Sequence, residues 1–310
     1  MFDHFVWSVL VVPVLLVGTA ALPARRLAPA TGAAALAWSA FATALAAVAV
    51  LAAFTVAAAA EVPAVAARFG ESSRTVADDT AHVPWVTWLS AALLAAGLVA
   101  AARVRRRHRR GRSVARRFAG LPADRAIVLV DDEAVDAFAV PGRPGRIVVT
   151  TAMRAALDDR QFEALVAHER AHLDAGHPRL ILLAELAGAL HPALRWVAPR
   201  VSYLIERAAD EQAARAVGDR RTVAKAIGAA ALAAAGRPAP PAPSAVSFAR
   251  AVRPGAVPRR VGELLAPPPA GRLAWLAAVP ALLAASSIVW TGEALIDLVE
   301  LLAKAHGTGP

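Results

Sequence analysis

The segment VAHERAHLDAGHP, Val166–Pro178, gathers three histidines and a glutamate in a chain otherwise rich in alanine, leucine and arginine. Within it, His168-Glu169-Arg170-Ala171-His172 has the form H-E-x-x-H. On a helix, a spacing of four puts both imidazoles on one face about one turn apart. They can then share one zinc ion, with Glu169 beside the metal's water. The plain competing reading is a solvated helix face with two idle histidines. A catalytic zinc takes three protein ligands and keeps one position open. The nearby-ligand pattern H-E-x-x-H-x-x-G-x-x-H fails here, because Ala175 and Pro178 stand where glycine and histidine are required. A carboxylate from a later helix can serve instead. ERAAD supplies Glu206, with Asp210 one turn further on the same face. Asp210 could accept the free ring N–H of a zinc histidine and fix its tautomer. Tyr203, one turn before Glu206, and His177 are candidates to line the site, although a core role suits the single tyrosine better. His191, before Pro192 at a helix break, reads as structural.

Elements that would position these residues can be read around them. Asp158 and Gln161 form a capping-box pattern at the start of the H-E-x-x-H helix. Upstream, Ala126–Val130, Asp136–Val140 and Arg146–Thr151 read as short strands, with PGRPG turning the chain before the last. Thr151 is expected to cap a short helix through Leu157, and strand Arg146–Thr151 to take an extended substrate as an added strand. LILLAELAGAL is too short, and with Glu185 too charged, to be a confident further span, and reads as domain core or a membrane-surface helix. The helix carrying Glu206 ends at Gly218. From Gly236 to Arg272 proline is dense, which predicts a mobile linker.

Of 310 residues, 57% are hydrophobic, and mean hydropathy is +0.49. Four uncharged runs, Phe5–Ala24, Thr31–Ala60, Val83–Ala102 and Leu273–Gly292, each reach the roughly 20 residues that cross a hydrocarbon core. The first is a retained span rather than a signal peptide, since Asp3 precedes it and Arg25 and Arg26 follow it. Arg103–Arg117 holds nine arginines, which anchors that side to the cytoplasm and to anionic lipid headgroups. Direct nucleic-acid binding is not expected, because no aromatic residue interleaves with the arginines to stack on bases. The net charge of +10 then sits largely in clusters that face one side. The chain has no cysteine, which excludes disulfides, thiolate metal sites and cysteine nucleophiles. An intramembrane protease is disfavoured, since the motif helix carries Arg160, Gln161, Glu163 and Arg170.

H-E-x-x-H joined to a downstream E-x-x-x-D resembles the gluzincin membrane peptidases. The stretches AFAVPGRPGRIVVTTAMRAALDDRQFEALVAHERAH, HPALRWV…ERAADEQA and PRRVGELLAPPP look most like the beta-lactam-sensor antirepressor peptidases, and more distantly like the CaaX-prenyl and heat-shock membrane endopeptidases. The likeness covers roughly residues 85–290 and is most specific between Ala137 and Glu211. It implies that His168, His172 and Glu206 hold one Zn2+ per chain, that Glu169 is the catalytic base, and that Asp210 supports the ligands. The implied fold class is a membrane α-helical protein with four transmembrane helices and an inserted cytoplasmic α+β zincin-like metalloprotease domain. Residues 1–102 would hold three spans, 103–235 the protease, 236–272 the linker, and 273–310 the fourth span with a short outer tail. Both termini would lie outside a bacterial plasma membrane. The family's best-known members carry a penicillin-binding domain after the fourth span, where about twenty residues follow here, so beta-lactam sensing does not carry over. The implied function is cleavage of a cytoplasmic protein, a winged-helix repressor in the family's pattern. Membrane-protein quality control and a catalytically silent scaffold are the competing roles.

Overall fold

A computed structural model of the chain describes residues 2–20, 28–69, 72–80, 84–119, 126–142, 145–235, 255–268 and 274–307. Helix α1 (Phe2–Ala20) contains a π-helical stretch over Val6–Val11. Helix α2 (Pro29–Ala60) starts with Pro29, whose missing N–H costs nothing in a first turn. Two short helices, α3 (Pro63–Phe69) and α4 (Ser73–Thr80), lead to α5 (Pro84–Ala119). The last helix of the chain, preceded by a 3-10 turn at Ala274–Ala277, runs over Ala278–Gly307. Stretches of these four long helices are apolar and long enough to cross a membrane: Phe2–Ala20, Pro29–Ala60, Trp85–Gly111 and Trp275–Gly307. They support a multi-pass membrane protein, as the hydropathy pattern predicts. The third and fourth helices outrun their uncharged runs. Helix α5 continues unbroken through Arg103–Arg117, and the last helix carries Glu293, Asp297, Glu300 and Lys304 on the same rod as the span.

The long α2 is the axis of the bundle, and alanine makes it so. Ala33, Ala37, Ala40 and Ala44 let neighbours approach closely, the way small residues do in lipid. Helices α8 (His177–Leu190) and α9 (Val197–Val217) pack on that first part of α2 through Ile181, Ala184, Ala187, Val201, Leu204 and Ile205. The middle of α2 meets Phe5, Val9, Val86 and Ala294, and its end meets Val76, Leu298 and Leu301. Helix α8 is therefore neither an isolated domain core nor a surface helix: it lies against two of the apolar rods, α2 and α5. Gly188 makes the tight return after it, since a Cβ there would come within 2.8 Å of the Arg195 backbone. At that turn His191 Nε2 donates to the Val9 carbonyl at 2.8 Å. Val9 lies in the π-helical stretch, and Pro13, four residues on, has no N–H to give its carbonyl an α-helical partner.

Three strands and their helices form the second layer. Strands β1 (Ile127–Val130), β2 (Ala137–Val140) and β3 (Arg146–Thr150) pair in the order β1-β3-β2, with β1 and β3 parallel and β2 antiparallel to β3. Strand β3 thus lies in the centre with both edges paired, so it cannot take a further strand, contrary to the expectation for Arg146–Thr151. The edge strand packed against the helix that carries His168 and His172 is β2. Thr150 N–H donates to Asp136 O, and antiparallel alternation then turns the backbone groups of Ala137 and Ala139 outward. Thr150, not Thr151, caps the short helix α6 (Thr151–Ala155), accepting from the Met153 N–H. Helix α7 (Asp159–Asp174) opens with the expected capping box of Asp158 and Gln161. Helix α9 ends at Gly218, and α10 (Arg220–Ala234) follows.

The proline-rich stretch departs from its expectation. Residues 236–254 and 269–273 lie outside the described part, but Ala256–Leu265 forms a helix, α11, docked on α9 and α10. Val257, Val261 and Leu264 join the core cluster of the sheet and α7. The final helix, Ala278–Gly307, is α12.

Candidate metal centre

Helix α7 delivers His168, Glu169 and His172 to the interior, each fully buried. The capping box fixes where α7 begins, and Ala164 and Leu165 turn its apolar side into the core, so the histidine side points at α9. Helix α9 returns Glu206 and Asp210 from 34 or more residues downstream to the same spot. His168 Nε2 and His172 Nε2 are 3.1 Å apart. Glu206 places one carboxylate oxygen 3.6 Å from His168 Nε2 and the other 3.7 Å from His172 Nε2. A tetrahedral zinc with ligands at about 2.0–2.1 Å holds its ligand atoms about 3.3–3.4 Å apart, so the trio has the span of one such site. The same three residues form a group able to hold a metal ion.

The remaining ring nitrogens are engaged so as to leave Nε2 facing inward. His168 Nδ1 lies 3.0 Å from Asp210 Oδ1, the contact expected from the E-x-x-x-D spacing. His172 Nδ1 is 2.9 Å from His177 Nδ1, with the rings at a steep angle. Gly176 makes that approach: its φ of 62° turns the chain sharply between α7 and α8. His177 therefore sits behind a candidate ligand, not at an entrance. Tyr203 stays half-buried, with the Arg200 guanidinium 5.9 Å from its ring centroid. No hydrogen bond joins it to the trio among the described residues.

Electrostatics without a cation follow from this geometry. Burial opposes charge on His168, but the Asp210 and Glu206 contacts outweigh it and raise the imidazole to about 9. His172 is pushed well below its usual value, chiefly by burial. His177 falls to about 4 by burial. Burial would raise Glu206, but Arg260 and the two histidines hold it down to about 2. Asp210 is held low against burial by Arg260 and His168. Glu169 is raised to about 8 by burial, with Glu206 and Asp136 adding to it. Neither Glu169 carboxylate oxygen completes a hydrogen bond with a described partner, although the Ala139 backbone N–H faces the carboxyl and offsets part of the rise.

Arg260 is the functional residue that sequence reasoning missed. It comes from α11, is 3% exposed, and binds Asp210 in bidentate fashion, Nε to Oδ2 at 2.8 Å and Nη2 to Oδ1 at 2.6 Å. Its Nη1 lies 2.9 Å from Glu206 Oε2. The signal was present: Val257, Val261 and Leu264 recur at helical spacing, and Arg260 falls on that apolar face. A charge on a face that must be buried demands a buried counter-charge.

No curated protein and no solved structure matches the chain. Residues 101–198 match the family model described as Peptidase family M48, a segment that includes H-E-x-x-H and ends before Glu206, and with the four apolar helices this match supports a membrane metallopeptidase of that type.

Proposed function

We propose that the protein is a membrane-bound zinc metalloendopeptidase that cleaves a cytoplasmic protein, a transcriptional repressor, in a signalling response. The observation that carries this reading is the convergence of His168, His172 and Glu206 from two separate helices at tetrahedral-edge distances. The donor set of two neutral imidazoles and one carboxylate suits a catalytic zinc with an open fourth position. A zinc ion held there would polarise the scissile carbonyl and lower the pKa of its water. Glu169, buried beside the two histidines, takes the water proton and passes it to the leaving amine. Asp210 accepts from His168 Nδ1 and keeps Nε2 available as a ligand.

The arginines of Arg103–Arg117 directly follow the third span and orient the site toward the cytoplasm, with both termini outside. A repressor substrate rests on the likeness of the sequence to antirepressor peptidases, and it would be a small winged-helix protein. The lipid bilayer is the other partner, and no direct nucleic-acid contact is proposed.

Purified wild-type protein in nanodiscs should carry one zinc per chain. The Glu169→Gln variant should keep the zinc and lose peptide cleavage. Comparing the proteomes of cells carrying the two forms should reveal a repressor fragment present only with the wild type. Cleavage retained by Glu169→Gln would reject the assignment.

A further inference from the structure

We propose that Arg260 is a positioning residue of the metal centre, a guanidinium that orients Glu206 and Asp210 for metal ligation. This inference rests on the zinc reading above and deepens it. Helix α11 brings the arginine to the site from outside the H-E-x-x-H and E-x-x-x-D motifs. Its planar fork grips both oxygens of Asp210. That grip fixes the carboxylate whose Oδ1 faces His168 Nδ1, and so fixes the imidazole. A second arm, Nη1, draws Glu206 Oε2 aside to 2.9 Å and leaves Oε1 turned toward His172 Nε2.

Charge balance argues the same way. Glu169 and Asp210 are buried and Glu206 is partly buried, three carboxylates at one spot. With Glu169 ionised, as its role as base requires, a dication and one guanidinium neutralise the three, whereas a dication alone would leave one negative charge uncompensated. The helix is held in place by contacts of its own. Arg207 pairs with Glu263 at 3.2 Å, and Arg220 donates to the carbonyls of Leu264 at 2.9 Å and Glu263 at 2.8 Å, closing the C-terminal end of α11. Seating α11 and completing the metal centre are therefore one event, and α11 lies eight residues before the 3-10 turn that opens the fourth span.

The test uses the full-length protein in nanodiscs, stripped of metal, with zinc affinity measured by chelator competition and ligand geometry by the visible spectrum of the cobalt(II)-loaded form. Arg260→Met should weaken zinc binding roughly 10–100-fold, the usual cost of losing a group that orients ligands, and should shift the cobalt bands. Arg260→Lys keeps the charge without the fork and should fall between Arg260→Met and wild type. It carries the test if Arg260→Met does not fold. Arg207→Met loosens the same helix without removing the fork on Asp210, so it should weaken zinc binding less than Arg260→Met does and leave the cobalt bands of the loaded form in place. Zinc binding unchanged or tightened in Arg260→Met and Arg260→Lys overturns the proposal, as does an equal loss in Arg207→Met. Wild-type protein that takes up no zinc would refute the metal reading itself, a result distinct from either.

Discussion

In the helical bundle, Phe5 and Phe54 meet edge to face at 5.6 Å, and the hydroxyls of Thr19, Thr55 and Thr291 turn back to carbonyls of their own helices. In the metal centre, His168, His172, Asp210 and Arg260 are buried too, yet each has a partner on another helix. Both regions lie largely out of water, but they differ in how far each contact depends on the others. Bundle contacts are small and many stay within one helix, the links between helices such as His191 to Val9 O and Ser8 to Ser287 O being single hydrogen bonds, and lipid tails are as apolar as the side chains they replace. The centre's polar groups satisfy one another across α7, α9 and α11, so losing one strands another. A substitution in the bundle should therefore cost stability, and one in the centre should cost chemistry.

The largest expected effect breaks the centre without disturbing the bundle. Glu169→Gln should lower kcat by roughly 10^2–10^4, the usual range for a lost general base, with zinc content and thermal melting unchanged. Replacing His168 or Glu206 by alanine or glutamine should abolish stoichiometric zinc at micromolar metal, checked by metal analysis after gel filtration. Proton uptake provides a third probe. His168 sits at about 9 in the metal-free site, above its ordinary value, so near pH 7.5 it must release its proton for Nε2 to bind a cation. Zinc binding should release about one proton from that ring, and affinity should rise up to tenfold per pH unit toward pH 9. Indicator-dye titration with no proton release would remove that coupling.

The bundle side gives smaller effects. Phe54→Ala should cost less than the about 3–5 kcal/mol typical of a soluble core, because lipid imposes little transfer penalty and packing alone is lost. Steric-trap or detergent-denaturation curves would measure it, and zinc affinity of the folded protein should not move. Asp158→Ala removes one arm of the capping box that starts α7 and should cost about 1 kcal/mol. A change in zinc affinity larger than that loss would show that the start of α7 positions the histidines as well as supporting them.

The same contrast explains what could be read from the chain. Local signals carried well: uncharged runs mark the long helices, Asp158 and Gln161 mark the start of α7, and the spacing of His168 and His172 needs only a helix. Glu206 was legible as a motif, although its meeting with the histidines depends on the return through α8 and the Gly188 turn. Strand order was not legible, and β3 proved central because pairing partners are chosen by packing, not by local pattern. Arg260 was hidden by the prolines around it, which suggested a linker and masked a short amphipathic helix. Its charge makes sense only once Glu206 and Asp210 are in place.

X-ray absorption at the zinc edge of the purified full-length protein tests the central claim most directly. One zinc per chain, with two imidazole nitrogens and one carboxylate oxygen at about 2.0–2.1 Å, is the predicted result, and Glu206→Gln, which holds zinc only at a large excess of metal, should then show no carboxylate contribution. Zinc that stays bound with the same ligand shell in that variant would contradict the convergence of α7 and α9 on a single metal.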